Sequence, residues 1–249
     1  MSAPVIASLL LVTAGTINGS NSDFAFPRAT DPGGCIIELV ASSEDRNHHQ
    51  FDGFSPDGRL FAAGWYIPSD ESASRVNERM AYLLNLETGE RTDIPFLDNV
   101  ASFSPDGSQL VSAAYQEDGR TDIVLYSLAT REIEVLAPHA NWDFLPSFSP
   151  DGRQIIFHSS RAGNPDLYLY DLESRGLTQL TTGDNWETHA QFSPDGAFVS
   201  YNERVSETDY DVRLLELATG ETIALTDEPS EDSYPSWHPD GQHLVFTSN

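Results

Sequence analysis

Phe148-Ser149-Pro150-Asp151-Gly152, followed directly by Arg153 and then by Gln154-Ile155-Ile156-Phe157-His158, reads as a tight turn feeding a β-strand. Pro150 presets φ, Asp151 can bond the backbone ahead of it and Gly152 accepts a positive φ, while the β-branched and aromatic run that follows favours a pleated, buried surface. The same five residues recur at 54–58, 103–107 and 192–196, and a variant, Trp237-His238-Pro239-Asp240-Gly241, closes the series. The successive offsets are 49, 45, 44 and 45 residues. A fixed period in this range marks propeller blades.

The unit around 148 shows the content of one repeat. Leu145 to Phe148 forms a first strand, Gln154 to His158 a second, Leu167 to Leu172 a third and Leu177 to Thr181 a fourth. The third and fourth are joined through Glu173-Ser174-Arg175-Gly176, and the same hairpin recurs as Leu86-Glu87-Thr88-Gly89 and Leu217-Ala218-Thr219-Gly220. A four-stranded meander cannot cover both of its own faces, so such units stack around an axis with the marker Phe or Trp wedged between neighbours. The expected fold is therefore all-β, a propeller of four-stranded antiparallel blades.

The last unit stops after a strand over His243 to Ser248, whereas the first strands, Asp23 to Phe26 and Cys35 to Val40, have the character of a third and a fourth. Joined, the two halves make a fifth blade and leave no free sheet edge. Five blades over residues 22–249 is the expectation, with part of a six-bladed ring as the competing reading. Residues 1–21 stand apart as a signal peptide or disordered leader: Ala3 to Gly15 is apolar and ends in small residues but lacks a positive start, and it is too short to span a bilayer as a helix.

The repeat Phe148-Ser149-Pro150-Asp151-Gly152, with Phe157-His158-Ser159-Ser160-Arg161-Ala162-Gly163-Asn164-Pro165-Asp166-Leu167-Tyr168 after it, resembles the TolB-type, WD-like β-propeller repeat, and the resemblance covers 22–249. It implies a non-enzymatic, protein-binding scaffold in the periplasm or secreted. Members of that family carry six blades behind a small α/β domain; here five repeats are visible and about 20 residues precede the first strand.

Composition narrows the partner. The 249 residues carry 39 acidic and 13 basic side chains, for a net charge of -26, and every basic residue is Arg. Such a surface repels nucleic acid and anionic lipid and favours cations or a basic protein or peptide. No segment is suited to membrane insertion, and a monomer is expected. The single Cys35 excludes an internal disulfide framework.

Five residues before each marker aromatic stand His49, Asp98, Asp143, Glu187 and Asp232. In a propeller these positions gather at one mouth of the central channel, where calcium, a hard ion with six to eight oxygen ligands, is the fitting cation. Trp65, Tyr66, Trp142, Trp186, His189 and Tyr234 fall near the same face and are the expected ligand contacts, with the long loop 68–79 beside them. His158 falls in a strand, and His139, His238 and His243 read as loop or outer positions. The competing function is a polysaccharide hydrolase or lyase using Asp98, Asp143, Glu187 and Asp232, since paired carboxylates serve as acid and base or nucleophile in glycoside chemistry. A Gly-x-Ser-x-Gly nucleophile elbow does not occur.

Overall fold

The computed structural model describes residues 29–30, 36–37, 48–66, 79–94, 97–116 and 119–249, and every regular element among them is a β-strand. The chain divides into two units, Met1–Ser42 and Ser43–Asn249. In the first, β1 (Ala29–Thr30) pairs antiparallel with β2 (Ile36–Ile37). β2 falls inside the strand expected over Cys35 to Val40. The strand expected at Asp23 to Phe26 lies outside the described residues, as does most of the loop 68–79.

The second unit is the repeat array. Four antiparallel four-stranded sheets follow one another: β3 (His48–Phe54), β4 (Leu60–Tyr66), β5 (Arg79–Asn85) and β6 (Arg91–Ile94); β7 (Leu97–Phe103), β8 (Gln109–Tyr115), β9 (Thr121–Ser127) and β10 (Ile133–Leu136); β11 (Asp143–Phe148), β12 (Gln154–Ser159), β13 (Asp166–Asp171) and β14 (Leu177–Gln179); β15 (Trp186–Phe192), β16 (Phe198–Arg204), β17 (Tyr210–Glu216) and β18 (Thr222–Ala224). A two-stranded sheet, β19 (Ser233–Trp237) with β20 (Leu244–Thr247), ends the array among the described residues. Each sheet is an up-and-down meander, as the repeat requires.

The blades are held face to face by their alternating residues. In β12, Ile155 packs toward the preceding blade with Val111, Ile123 and Leu136, and its neighbour Ile156 packs toward the following one with Val199, Tyr201 and Leu215. Adjacent strand residues point to opposite faces, so one strand serves two interblade cores. The marker aromatics Phe148 and Phe192 are buried in these clusters, as wedges should be, and Phe103 packs against the cluster between the first two blades.

The turn does more than reverse the chain. Ser55, Ser104, Ser149 and Ser193 each donate their hydroxyl to the turn Asp at 2.6–2.7 Å. The same hydroxyls accept the backbone N–H that begins the second strand, at 2.9–3.0 Å. Each Asp also accepts the N–H two residues on, so these carboxyls are held below their ordinary range, the Ser hydroxyl being the largest cause. The turn glycines have φ near +70°, and the turns stack: a Cβ on Gly152 would lie 3.2 Å from Pro105 Cδ, and one on Gly107 3.4 Å from Pro56 Cδ. Thus Pro of one blade sits over Gly of the next.

Candidate functional site

At the other end of each blade, the first strands β3, β7, β11, β15 and β19 contact one another in succession, which lines them up along one axis. The positions five residues before the markers lie at the strand starts: Asp98 and Glu187 are the second residues of β7 and β15, Asp143 is the first of β11, His49 is the second of β3 and Asp232 directly precedes β19. Besides pairing within its own blade, the strand start is bonded to the preceding blade. Glu187 N–H donates to Pro165 C=O at 2.8 Å, Asp232 N–H donates to Tyr210 C=O at 2.9 Å, and the Thr121 hydroxyl donates to Asp143 C=O at 2.8 Å.

Alternation then sorts side chains. Asp143, Glu187 and Asp232 are turned inward and buried, while Trp142 and Trp186, one position earlier, are 53% and 47% exposed. The strands bulge two or three residues later, at the breaks Phe144/Ser147, Thr188/Gln191 and Ser233/Ser236. Within each bulge one non-glycine residue takes a positive φ: Leu145, His189 and Tyr234, all three residues before their markers. A left-handed residue in a bulge re-aims its side chain. His189 and Tyr234, from adjacent blades, meet edge to face with ring centroids 4.8 Å apart, and Tyr234 is 58% exposed. The face therefore carries Trp142, Trp186, Tyr234 and part of His189. Trp65 and Tyr66 end β4, and Tyr66 pairs with His48 and Trp65 with His49 at this same end.

The inward carboxyls each join a separate interblade network. Asp143 Oδ2 is bonded to Arg161 Nη2 at 2.8 Å, and Arg161 also reaches Ser159 Oγ and Ala137 C=O and lies over Tyr168. Even so, burial outweighs these contacts and pushes the Asp143 pKa up. Glu187 sits beside Asp166, which begins the third strand of the preceding blade. Burial first, then the Asp166 charge, pushes the Glu187 pKa up to about 8, and Asp166 is also raised by burial. A proton on Glu187 relieves the repulsion between the two carboxyls. The Thr181 hydroxyl donates to Glu187 Oε2 at 3.2 Å and Gln179 donates to Asp166 Oδ2 at 3.0 Å. Asp232 Oδ2 takes the Ser230 hydroxyl at 3.1 Å, and its buried Oδ1 meets no donor.

Asp166 has equivalents in Asp122 and Asp211, and all three are buried. Asp211 is bonded by Arg213 at 2.9 Å, and the same guanidinium holds Glu203 at 2.6 Å. Sequence reasoning placed one ring of acids here; a second lies beneath it at the third-strand starts, and its signal was the Asp before the third strand recurring at 122, 166 and 211. His158 is buried and neutral, its pKa pushed down to about 3 by burial.

Four repeated four-stranded sheets with interlocked turns at one end and an aromatic, carboxylate-backed surface at the other define a β-propeller with a variable face. The chain belongs to the TolB beta propeller domain family, whose model matches residues 52–249. It is similar to the Tol-Pal system protein TolB of Alcanivorax borkumensis, 32% identical over 62 residues that make up 25% of this chain and 14% of that protein. The crystal structure of TolB from Acinetobacter baumannii superposes with a TM-score of 0.67 at 28% identity, over 83% of this chain and 49% of that one. An oligogalacturonate lyase in complex with manganese shares the fold at 15% identity, with a TM-score of 0.53 over 82% of this chain and 72% of that one. The chain spans about half the length of the TolB structure it matches. No helix among the described residues is long and apolar enough to cross a membrane.

Proposed function

We propose that this propeller is a non-enzymatic scaffold that binds a protein or peptide segment on the strand-start face, and that it works in the periplasm or outside the cell. The observation that carries the reading is the pair Trp142 and Trp186, half-exposed at equivalent positions of adjacent blades above buried carboxyls. Large aromatics left in water on a rigid framework are typical anchors of protein recognition, because they add contact area with little loss of rotamer freedom. The net charge of -26 favours a basic segment. Family membership and the likeness to TolB support a protein as the ligand.

The carboxyls on this face argue for a supporting role. Asp143 is neutralised by Arg161 and Glu187 by a proton shared with Asp166, and neither is poised toward open solvent as an acid and base flanking a substrate groove. Calcium at His49, Asp98, Asp143, Glu187 and Asp232 is a finer reading that rests on the donorless oxygen of Asp232 alone, since Asp143 and Glu187 engage separate networks and do not converge with it. Thermal unfolding with chelator and with added calcium tests it: a midpoint raised by calcium supports a bound ion, and an unmoved one leaves Arg161 and the Glu187 proton as the neutralising groups.

Panning displayed random peptides on the protein tests the main proposal. Enrichment of Lys- or Arg-containing apolar sequences, lost on the W142A/W186A variant, is the expected result. Turnover of a polysaccharide that E187Q abolishes would favour the enzyme instead.

A further inference from the structure

The fifth copy of the turn departs from the other four in a way that changes its chemistry. Where Ser55, Ser104, Ser149 and Ser193 bond the turn Asp, the fifth has His238, and where Leu60, Gln109, Gln154 and Phe198 begin the second strand, it has His243. The backbone is unchanged: Gly241 N–H still reaches His238 C=O at 3.0 Å, His238 N–H reaches His243 C=O at 2.9 Å, and Gly241 keeps its positive φ. A hydroxyl position and a position held by Leu, Gln or Phe in the other blades have thus become imidazoles on a shared frame around one carboxylate.

We propose that His238, Asp240 and His243 form a site for a borderline divalent transition metal of the zinc, nickel or copper type. His243 Nδ1 lies 2.7 Å and His238 Nδ1 3.1 Å from Asp240 Oδ2, and one ligand atom from each residue falls within 4.8 Å of the others. Among the described residues this is the one group of three that meets that condition. Ligands held tetrahedrally about 2.0–2.1 Å from a zinc ion are separated by roughly 3.3 Å, so an ion enters with small movements. His238 Nδ1 also accepts the Asp240 N–H at 3.2 Å, a long bond that metal ligation would displace. The other Asp240 oxygen, Oδ1, is fixed by Gln242 N–H at 2.8 Å and His243 N–H at 3.2 Å, which orients Oδ2 toward the imidazoles as a supporting shell does in metal sites.

Imidazole ligands select zinc, nickel and copper over hard ions such as calcium and magnesium. All three side chains are solvent-accessible, so an ion has an entry path and keeps a position open for water or an outside ligand. The strong negative charge of the chain raises the local cation concentration. This site lies at the turn end of the blade, and it is independent of the proposed protein-binding face.

Zinc chloride titrated calorimetrically into the protein, in excess calcium and moderate salt, is the test. The comparison variant, H238S/H243Q, restores residues that the other turns already use and so preserves the fold, which far-UV circular dichroism and the melting midpoint verify. We expect about one equivalent of zinc on the parent chain and at least tenfold weaker binding on the variant. Cobalt substituted for zinc should give visible d–d absorption only on the parent. Equal zinc affinity and stoichiometry for the two proteins, or no calcium-resistant binding to the parent, would overturn the assignment.

Discussion

At the turn end, four blades repeat one set of hydrogen bonds from Ser to Asp within 2.6–2.7 Å, and Pro stacks over Gly from blade to blade. At the strand-start end, equivalent positions hold Trp142, Trp186 and Glu231 on the outside, Asp143, Glu187 and Asp232 on the inside, and Leu145, His189 and Tyr234 in the bulge. The backbone is equally regular at both ends, since the bulges and the stitches to the preceding blade recur. What differs is the freedom of the side chains. A turn whose Ser hydroxyl and Asp Oδ1 are both engaged within the loop tolerates little change there, whereas a strand start stitched through its backbone leaves the outward positions open to variation. Only the fifth turn breaks this division.

The contrast can be broken most forcefully from the inner side of the variable end. Replacing Arg161 by Ala leaves the buried Asp143 carboxylate without its cation, and loss of one partner of a buried pair costs about 3–5 kcal/mol. Urea unfolding of R161A should show it, and a loss below about 1 kcal/mol would place this pair with the exposed kind. At the turn end, Gly152→Ala and Gly58→Ala have similar positive φ, but only the former meets a proline, Pro105, at 3.2 Å. We expect about 1–2 kcal/mol for the φ cost in both and a further loss in G152A alone. Equal values would mean that the Pro–Gly stacking is slack.

Smaller and pH-dependent is the effect of Glu187→Gln. The folded pKa of about 8 lies above the ordinary 4.5, so the native state binds the extra proton and the parent loses stability as pH rises between those values. E187Q should match the parent near pH 4.5 and exceed it at pH 8, by about 1–2 kcal/mol, read as a rise in melting midpoint of roughly 2–8 °C. A gap that does not widen with pH would contradict proton sharing with Asp166. Least affected in stability are W142A and W186A, each within about 0.5 kcal/mol, because exposed side chains contribute little to folding.

Most of the fold is legible in the repeat. Pro150-Asp151-Gly152 names its own turn, and Ile155-Ile156-Phe157 its strand, because these are local preferences. The stacking of Pro105 on Gly152 is not legible, since it joins residues 47 apart whose proximity follows from blade packing. At the mouth, counting back from the marker gives no direction for each side chain. Alternation from Asp143 and Glu187 buries the acids and exposes Trp142 and Trp186, yet periodicity alone cannot say which face is the core until the neighbouring blade is in place. His238 and His243 read as outer positions and are exposed; their convergence on Asp240 depends on the turn geometry, which the four Ser-containing copies display without suggesting a metal.

The central claim is that the strand-start face binds a protein segment and the turn end does not. Binding of a panning-selected peptide, followed by quenching of tryptophan fluorescence and by calorimetry, tests it on the parent, on W142A/W186A and on the turn variant G58A. The account predicts affinity reduced at least tenfold by the double tryptophan change and unaltered by G58A. Unchanged affinity without the two tryptophans, or equal loss in G58A, would contradict it.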